Sequence, residues 1–228
     1  MMKKLISSVA ILFGLSTVTV ADVKIGNPMA RTGPIPELVK PMSAAVDLAV
    51  EHVNDQGGLF SDGQKYRAVK VDSACDPVAA VDAVTKLVNV EMVTGIVGPV
   101  CSGATIAQAE SVSIPAGVVT LSVSASSPAI SEMENNTDLV FRTAASDAYQ
   151  GIALAELAMA KGLKEIAISY ANDDYNAAIA GVFTEAFTSM GGKITGNEAH
   201  EPNKASYRSE VNTLGAGSNN LALFAYYG

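Results

Sequence analysis

The 228-residue chain has no tryptophan, two histidines, two cysteines and only 15 lysine and arginine side chains. His52 and His200 lie far apart in the sequence, without cysteine or carboxylate at metal-ligand spacing, so there is little support for a metal site. The 23 acidic side chains outnumber the basic ones and leave a net charge of −8. This excess argues against nucleic acid or an anionic membrane surface as a partner.

The sequence also lacks the motifs of common catalytic and cofactor sites. No phosphate-binding loop or dinucleotide fingerprint occurs in it. Ser102 does not lie in a nucleophile-elbow pattern, and the sequence places no histidine near Cys101. We therefore expect a protein that is not an enzyme and that needs no cofactor.

The first 21 residues have the parts of a secretory signal peptide. A basic start, Met1 to Lys4, precedes a mostly apolar stretch from Leu5 to Val20, and the small residues that signal peptidase needs end at Ala21. The alternative is a membrane anchor. Serines and threonines interrupt the apolar stretch, which falls short of the roughly 20 apolar residues of a spanning helix. We therefore expect cleavage and export of residues 22–228.

From Asp22 onward, short β-rich runs alternate with longer segments of helical pattern. Strands are predicted over 23–29, 67–72, 94–98, 117–121, 139–142, 165–170, 193–197 and 220–226. Helices are predicted over 41–56, 147–161, 175–190 and 206–214, and from Pro77 and Ser102 onward. The alternation predicts βαβ units, and hence parallel sheets with helices on both faces. Since the last strand is not followed by its helix, we expect a chain truncated at its C-terminal end.

Two turns rich in small hydroxyl residues follow apolar runs that are predicted to be neighbouring strands. Ser102 opens a helical segment, where unpaired backbone N–H groups gather beside its hydroxyl. The second turn spans residues 122–128 and contains four serines besides its proline. A carboxylate fits between such turns, because ligands of open α/β sheets sit outside the carboxyl ends of the strands. The alternatives are a plain N-cap at Ser102 and a solvated serine-rich loop.

Cys75 and Cys101 each follow a predicted strand, at the same edge of the sheet. An even number of cysteines in an exported chain favours a disulfide, although two buried free thiols remain the alternative. Closing this loop would stabilise the fold by about 3 to 4 kcal/mol in the chain-entropy model.

Several short motifs occur together, in order, along residues 22–228. They are Gly33-Pro34, the segments 54–58, 72–77, 98–102 and 124–128, Phe141-Arg142-Thr143 and the segment 147–151. With these motifs the chain resembles the periplasmic leucine/isoleucine/valine-binding proteins, the type I solute-binding components of ABC transporters for branched-chain amino acids.

The resemblance implies an α/β type I periplasmic binding protein fold, with two doubly wound parallel-sheet lobes that close on a ligand. Residues 22–145 would form lobe one and residues 146–228 an incomplete lobe two. Such a protein would capture a small amino acid, branched-chain or a related amide or carboxylate. As a periplasmic monomer, it would deliver this ligand to an ABC permease in the inner membrane. The alternative is a ligand-sensing module of the same fold that feeds a receptor or kinase.

The resemblance also implies roles for single residues. Ser102 matches the position whose hydroxyl meets the ligand carboxylate. The turn formed by Ser124, Ala125 and Ser126 matches the one that offers groups to the carboxylate and the ammonium. Tyr149 matches an aromatic over the ligand amine, with a buried tyrosine at a helix start as the alternative. Tyr175 matches the aromatic of a lobe-two loop, although Asn176 stands where relatives usually carry glycine.

One departure from the family bears on the ligand. Leu38 stands where the branched-chain binders usually have an aromatic that walls the side-chain pocket, so leucine, isoleucine and valine cannot be assumed as ligands. Its neighbour Glu37 would favour a second cationic group on the ligand. The alternative is that Glu37 is an ordinary exposed charge.

Overall fold

The computed structural model describes residues 22–60, 63–134 and 138–225. The predicted signal peptide, residues 1–21, lies outside the described residues, as does Tyr226 at the end of the last predicted strand.

The described residues form eight strands that alternate with helices, as the sequence pattern predicts. The strands are β1 Val23–Met29, β2 Tyr66–Asp72, β3 Gly95–Val97, β4 Val119–Ser122, β5 Val140–Arg142, β6 Glu165–Ala171, β7 Lys193–His200 and β8 Leu221–Phe224. The helices are α1 Pro36–Asp55, α2 Pro77–Asn89, α3 Ser102–Gln108, α4 Ala148–Ala160, α5 Asp174–Ser189 and α6 Arg208–Gly215. A π-helical turn over Ala109–Ser113 extends α3, and a 3₁₀ turn covers Pro128–Ile130.

The strands form two parallel sheets. The first has the order β2-β1-β3-β4-β5 and the second the order β7-β6-β8. In the first sheet the chain moves outward from β1 to β2 and then returns to β3 on the other side of β1. Such a reversal opens a crevice at the carboxyl ends of β1 and β3, which is where open α/β sheets bind ligands. The predicted boundary between residues 145 and 146 lies in the segment that joins β5 to α4 and remains a prediction.

Helix α1 begins at Pro36, five residues before the predicted start at Pro41. Pro36 takes the first helical position, where the missing N–H of proline costs no hydrogen bond. Pro41 lies inside the helix instead, where a proline usually ends one. The earlier start places Leu38 on the first turn of α1.

Helix α2 follows the prediction closely. The Asp76 side chain accepts a hydrogen bond from the Ala79 N–H at 2.8 Å, and Pro77 is the first helical residue. Val84 and Leu87, on the predicted apolar face, are fully buried against Ile96 of β3. Burying each such side chain contributes about 1.5 to 3 kcal/mol.

The second sheet has its own apolar core, under α4 and α5. Phe183 and Phe187 of α5 are buried and stack with ring centroids 5.4 Å apart. Phe183 also contacts Phe224 of β8. Strand β7 runs three residues past its predicted end and thereby brings His200 next to Ser169 of β6, with Nδ1 2.8 Å from the hydroxyl oxygen.

Candidate ligand-binding site

A cavity of about 210 Å³ lies at the carboxyl ends of the first sheet. Its apolar wall consists of Ile35, Leu38 and Val100 beside Cys101, and its polar wall consists of Ser102, Ser124, Ser126 and Tyr175. Four of the six predicted ligand residues therefore come together here. Larger hollows occur below α6, about 430 Å³, and beside α1, about 460 Å³, but neither contains any of the six.

Ser102 is the first residue of α3, and the cap of this helix is Cys101. The alternative of a plain N-cap at Ser102 is therefore wrong. The Ser102 side chain crosses instead to the neighbouring turn, where its oxygen accepts the Ser127 N–H at 3.2 Å. A hydroxyl carries one proton to donate in addition to its lone pairs. Ser102, although only 2% exposed, thus keeps a proton for an acceptor in the cavity.

The serine-rich turn after β4 is held to the loop after β3 by a second set of bonds. The Ser122 hydroxyl donates to the Pro99 carbonyl at 2.6 Å and accepts the Ala125 N–H at 3.1 Å. Ala125 is 1% exposed and does not line the cavity, so the ligand role predicted for it remains a prediction. Ser124 and Ser126, on either side of it, line the cavity.

Asp147 connects two cavity residues from different sides, Ser126 of the first sheet and Tyr175 of α5. The Ser126 hydroxyl donates to its carboxylate at 2.6 Å, and the Tyr175 hydroxyl hydrogen-bonds to both Asp147 and Ser126. Burial first, and then the neighbouring Asp147 carboxylate, raise the pKa of Tyr175 above its usual value. The sequence did not single out Asp147, although it opens the motif of residues 147–151, because its partners Ser126 and Tyr175 lie far from it in the chain.

Tyr149 lies apart from these residues. It is the second residue of α4, and its side chain is 76% exposed. The alternative of a buried tyrosine at a helix start is therefore wrong. Tyr149 does not line the cavity. Its role over a ligand amine remains a prediction.

The Leu38 side of the cavity is open. Leu38 is 62% exposed on the first turn of α1, next to Ile35. Glu37 forms an exposed ion pair with Lys40 at 2.6 Å, on the same helix. Because Lys40 already balances this carboxylate, the structure favours the ordinary exposed charge over a partner for a cationic ligand group.

The predicted disulfide between Cys75 and Cys101 is confirmed, with a distance of 5.4 Å between the Cα atoms. It ties the loop after β2 to the residue that precedes Ser102. A second hollow of about 360 Å³ continues from this disulfide past Ser102 to Asp173, Asp174 and Tyr175. The candidate site is therefore part of a cleft between the ends of the two sheets.

Across residues 22–60, 63–134 and 138–225, no three His, Cys, Asp or Glu side chains group so as to hold a metal ion. Over the same residues, no helix combines the length and the apolar character needed to cross a bilayer.

Residues 22–228 match a family model described as periplasmic binding protein. The chain belongs to this family. An amino acid binding protein of Pseudomonas aeruginosa is 28% identical over 82% of this chain and 49% of its own length. A leucine-, isoleucine-, valine-, threonine- and alanine-binding protein of the same organism is 32% identical over 78% of the chain and 47% of its own length. The chain thus spans about half the length of these relatives, and its predicted resemblance to branched-chain binders is confirmed.

The fold is also confirmed by solved structures. The substrate-binding protein LivJ of a branched-chain amino acid transporter from Streptococcus pneumoniae, in complex with isoleucine, superposes with a TM-score of 0.72 and 24% identity. The superposition covers 89% of this chain and 57% of that one. The type I periplasmic binding protein fold predicted from the motifs is therefore the observed architecture.

Proposed function

We propose that this chain captures a small amino acid in the cleft between its two sheets, as the periplasmic solute-binding component of an ABC transporter. In this role it binds as a monomer, releases the ligand to a membrane permease and catalyses no reaction. The relatives named for amino acid binding support this proposal, and so does the chemistry of the cavity.

The observation that carries the proposal is that one cavity holds two hydroxyls with opposite hydrogen-bonding roles, one a donor and one an acceptor. The Ser102 oxygen accepts the Ser127 N–H, so its proton is left to donate to a carboxylate. The Ser126 proton goes to Asp147, and the Ser126 side chain also hydrogen-bonds to the Tyr175 hydroxyl. A hydroxyl oxygen has two lone pairs, so Ser126 still has one with which to accept from an ammonium. One donor and one acceptor, both lining the cavity, suit the two charged ends of an amino acid.

Asp147 supplies the negative charge behind the proposed ammonium end. Its carboxylate holds both the Ser126 and the Tyr175 hydroxyls, and both side chains line the cavity. A partly buried carboxylate favours a nearby cation far more than a carboxylate in bulk water does. Asp147 therefore selects for ligands with an amine over simple carboxylic acids.

The apolar wall accepts the ligand side chain. Ile35, Leu38 and Val100 offer branched aliphatic surface and no charge. The cavity of about 210 Å³ lies below the range of about 300 to 1,000 Å³ that is typical for drug-sized ligands, and so suits a molecule of amino acid size.

Cleft closure follows from the position of Tyr175. This residue belongs to α5, beside the second sheet, whereas the three serines belong to the first. A ligand that contacts both sides stabilises the closed arrangement by its difference in affinity for the open and closed states.

The test compares L-leucine with 4-methylpentanoate, which is the same molecule without its amine. Isothermal titration of the chain should give tighter binding of L-leucine, and Asp147→Asn should remove the difference between the two compounds. Glu156→Gln, an exposed change on α4, is the matched control and should leave the difference intact. Equal binding of both compounds to the parent chain would contradict the proposal, and so would a failure of every common amino acid to bind.

A further inference from the structure

Asp72 ends β2 and lies outside the cavity, yet its carboxylate contacts two of the loops that surround the site. It is half-buried, and it lies between the loop after β1 and the loop after β2. The first loop leads to Ile35 and Leu38 of the apolar wall, and the second leads to Cys75 of the disulfide.

Four hydrogen bonds converge on this one carboxylate. Oδ1 accepts the N–H groups of Arg31 at 2.8 Å, Thr32 at 3.2 Å and Ala74 at 2.8 Å. Oδ2 accepts the Thr32 hydroxyl at 2.6 Å. Burial opposes the charge on Asp72, but the hydroxyl of Thr32 and the three N–H groups outweigh it and lower the pKa of this carboxyl. The four donors thus hold an ionised carboxylate, and bonds to an ionised acceptor are stronger than neutral ones.

The loop after β2 needs this support because of its backbone conformation. Ala74 and Cys75 have φ values of 51° and 57°, in the left-handed region that residues with a Cβ avoid. The bond from the Ala74 N–H to Asp72 and the disulfide at Cys75 hold the two residues there. Gly33 of the first loop packs so closely on the Ala74 carbonyl that a side chain at this position would clash with it.

The disulfide carries the same constraint to the polar wall. Cys75 is bonded to Cys101, and Cys101 is the cap of α3 directly before Ser102. The Cys101 carbonyl in turn accepts the Thr105 hydroxyl at 2.9 Å, which holds the first turn of α3 to it. A displacement of Ala74 and Cys75 therefore moves the residue next to the proposed carboxylate-binding hydroxyl.

We infer that Asp72 is a positioning residue that sets the spacing between the apolar wall and Ser102, through the loop of Arg31 and Thr32 on one side and the disulfide on the other. The part of this inference that concerns ligand affinity rests on the proposed function. The part that concerns the position of Ser102 does not depend on any ligand.

The experiment substitutes Asp72→Asn, which keeps the size of the side chain and replaces one acceptor oxygen by an amide donor. Amide resonances of the full chain are recorded without ligand, well below the unfolding midpoint of each variant. We expect shifts at Arg31, Thr32 and Ala74 that continue through Cys101 to Ser102 and Gly103. Asp82→Asn, an exposed change on α2, is the control and should leave all of these resonances in place.

Two variants of Thr32 separate positioning from a loss of folded protein. Thr32→Val removes the hydroxyl donor to Oδ2, whereas Thr32→Ser keeps it. L-leucine affinity should fall about tenfold in Asp72→Asn, which is the scale of one bond to a charged group. It should fall less in Thr32→Val and return to the parent value in Thr32→Ser.

The outcomes are distinguishable. Shifts in Asp72→Asn that stop at Ala74 and leave Ser102 in place would overturn the inference. If the parent chain binds L-leucine, an equal affinity in Asp72→Asn would also overturn the inference. If the parent chain binds no L-leucine, the proposed function loses its support, and the resonances of Ser102 and Gly103 still decide the role of Asp72.

Discussion

The two sides of the cleft are built very differently. On the side of the first sheet, the cavity residues are joined by a disulfide, by the Ser102 to Ser127 bond and by the Ser122 bonds to Pro99 and Ala125. On the side of the second sheet, Tyr175 lines the same cavity and hydrogen-bonds to Asp147, the cap of α4, whose carboxylate accepts the Ser126 hydroxyl of the first side. The proposed closure on a ligand requires such a difference, with one half of the site held together by its own bonds and the other half joined to it by fewer.

The largest expected effect comes from removing the core of the second sheet. Phe187 is fully buried and stacks on Phe183, so Phe187→Ala should cost about 3 to 5 kcal/mol of unfolding free energy. Denaturant unfolding followed by circular dichroism measures the loss, and hydrogen exchange locates it. If the two sheets unfold independently, the amide groups of β1 and β3 should remain as protected from hydrogen exchange as in the parent chain.

The matched control for this variant is Phe60→Ala, because the Phe60 side chain is 82% exposed. It should leave the unfolding free energy nearly unchanged. Equal loss of protection in both sheets of Phe187→Ala would mean that the two halves unfold as one unit.

The next effect concerns the rigid half. Replacing both Cys75 and Cys101 by serine opens a loop with a sequence separation of 26 residues. Closing such a loop stabilises the fold by about 3 to 4 kcal/mol in the chain-entropy model, so the denaturation midpoint should fall correspondingly. Reduction of the parent chain should reproduce the effect. A midpoint that neither treatment changes would show that hydrogen bonds alone hold this half.

A smaller effect is expected from Ser102→Ala, which removes the hydroxyl that joins the two turns. L-leucine affinity should fall by about 1 to 3 kcal/mol, because both a donor to the carboxylate and the acceptor of the Ser127 N–H disappear. Isothermal titration measures the change, with Ser189→Ala at the exposed end of α5 as the control. An unchanged affinity would leave Ser102 with a structural role only.

The smallest effect is expected on the side of the second sheet. Tyr175→Phe keeps the ring and removes the hydroxyl bond to Asp147, which should cost about 0.5 to 1.5 kcal/mol of L-leucine affinity.

The same variant tests how the stability of the fold depends on pH. Because the folded chain raises the pKa of Tyr175, the stability from its protonated hydroxyl is complete below the ordinary tyrosine value, about 10, and is lost as pH rises above it.

The pH effect is measured as the unfolding midpoint between neutral and strongly alkaline pH. The alkaline loss should be smaller in Tyr175→Phe than in the parent chain. Tyr149→Phe, on an exposed side chain, is the control and should follow the parent. Parallel curves for all three proteins would show that Tyr175 makes no net contribution.

Local chemistry made several elements predictable. Asp76 and Pro77 begin α2 where the sequence places the start, because a capping carboxylate and a proline at the first helical position act within four residues. The start of α1 was missed because two prolines compete for it, and only packing of the helix on the sheet decides in favour of Pro36. His200 was missed at the end of β7 because pairing with β6 extends the strand beyond its apolar pattern.

The features of the candidate site also fall into those that the local sequence sets and those that tertiary contacts set. The sequence by itself determined the alternating elements, the family, the export-compatible cysteine pair and the two hydroxyl-rich turns, since each depends on residues close together in the chain. Only the tertiary structure decided that Tyr149 is exposed and does not line the cavity, that Asp147 joins Ser126 to Tyr175, and that Asp72 holds Thr32 and Ala74 together. The bonds from Asp147 to Ser126 and from Asp72 to Thr32 join residues 21 and 40 positions apart. Their geometry is set by how strands pair and how loops meet above them, and no local pattern carries that information.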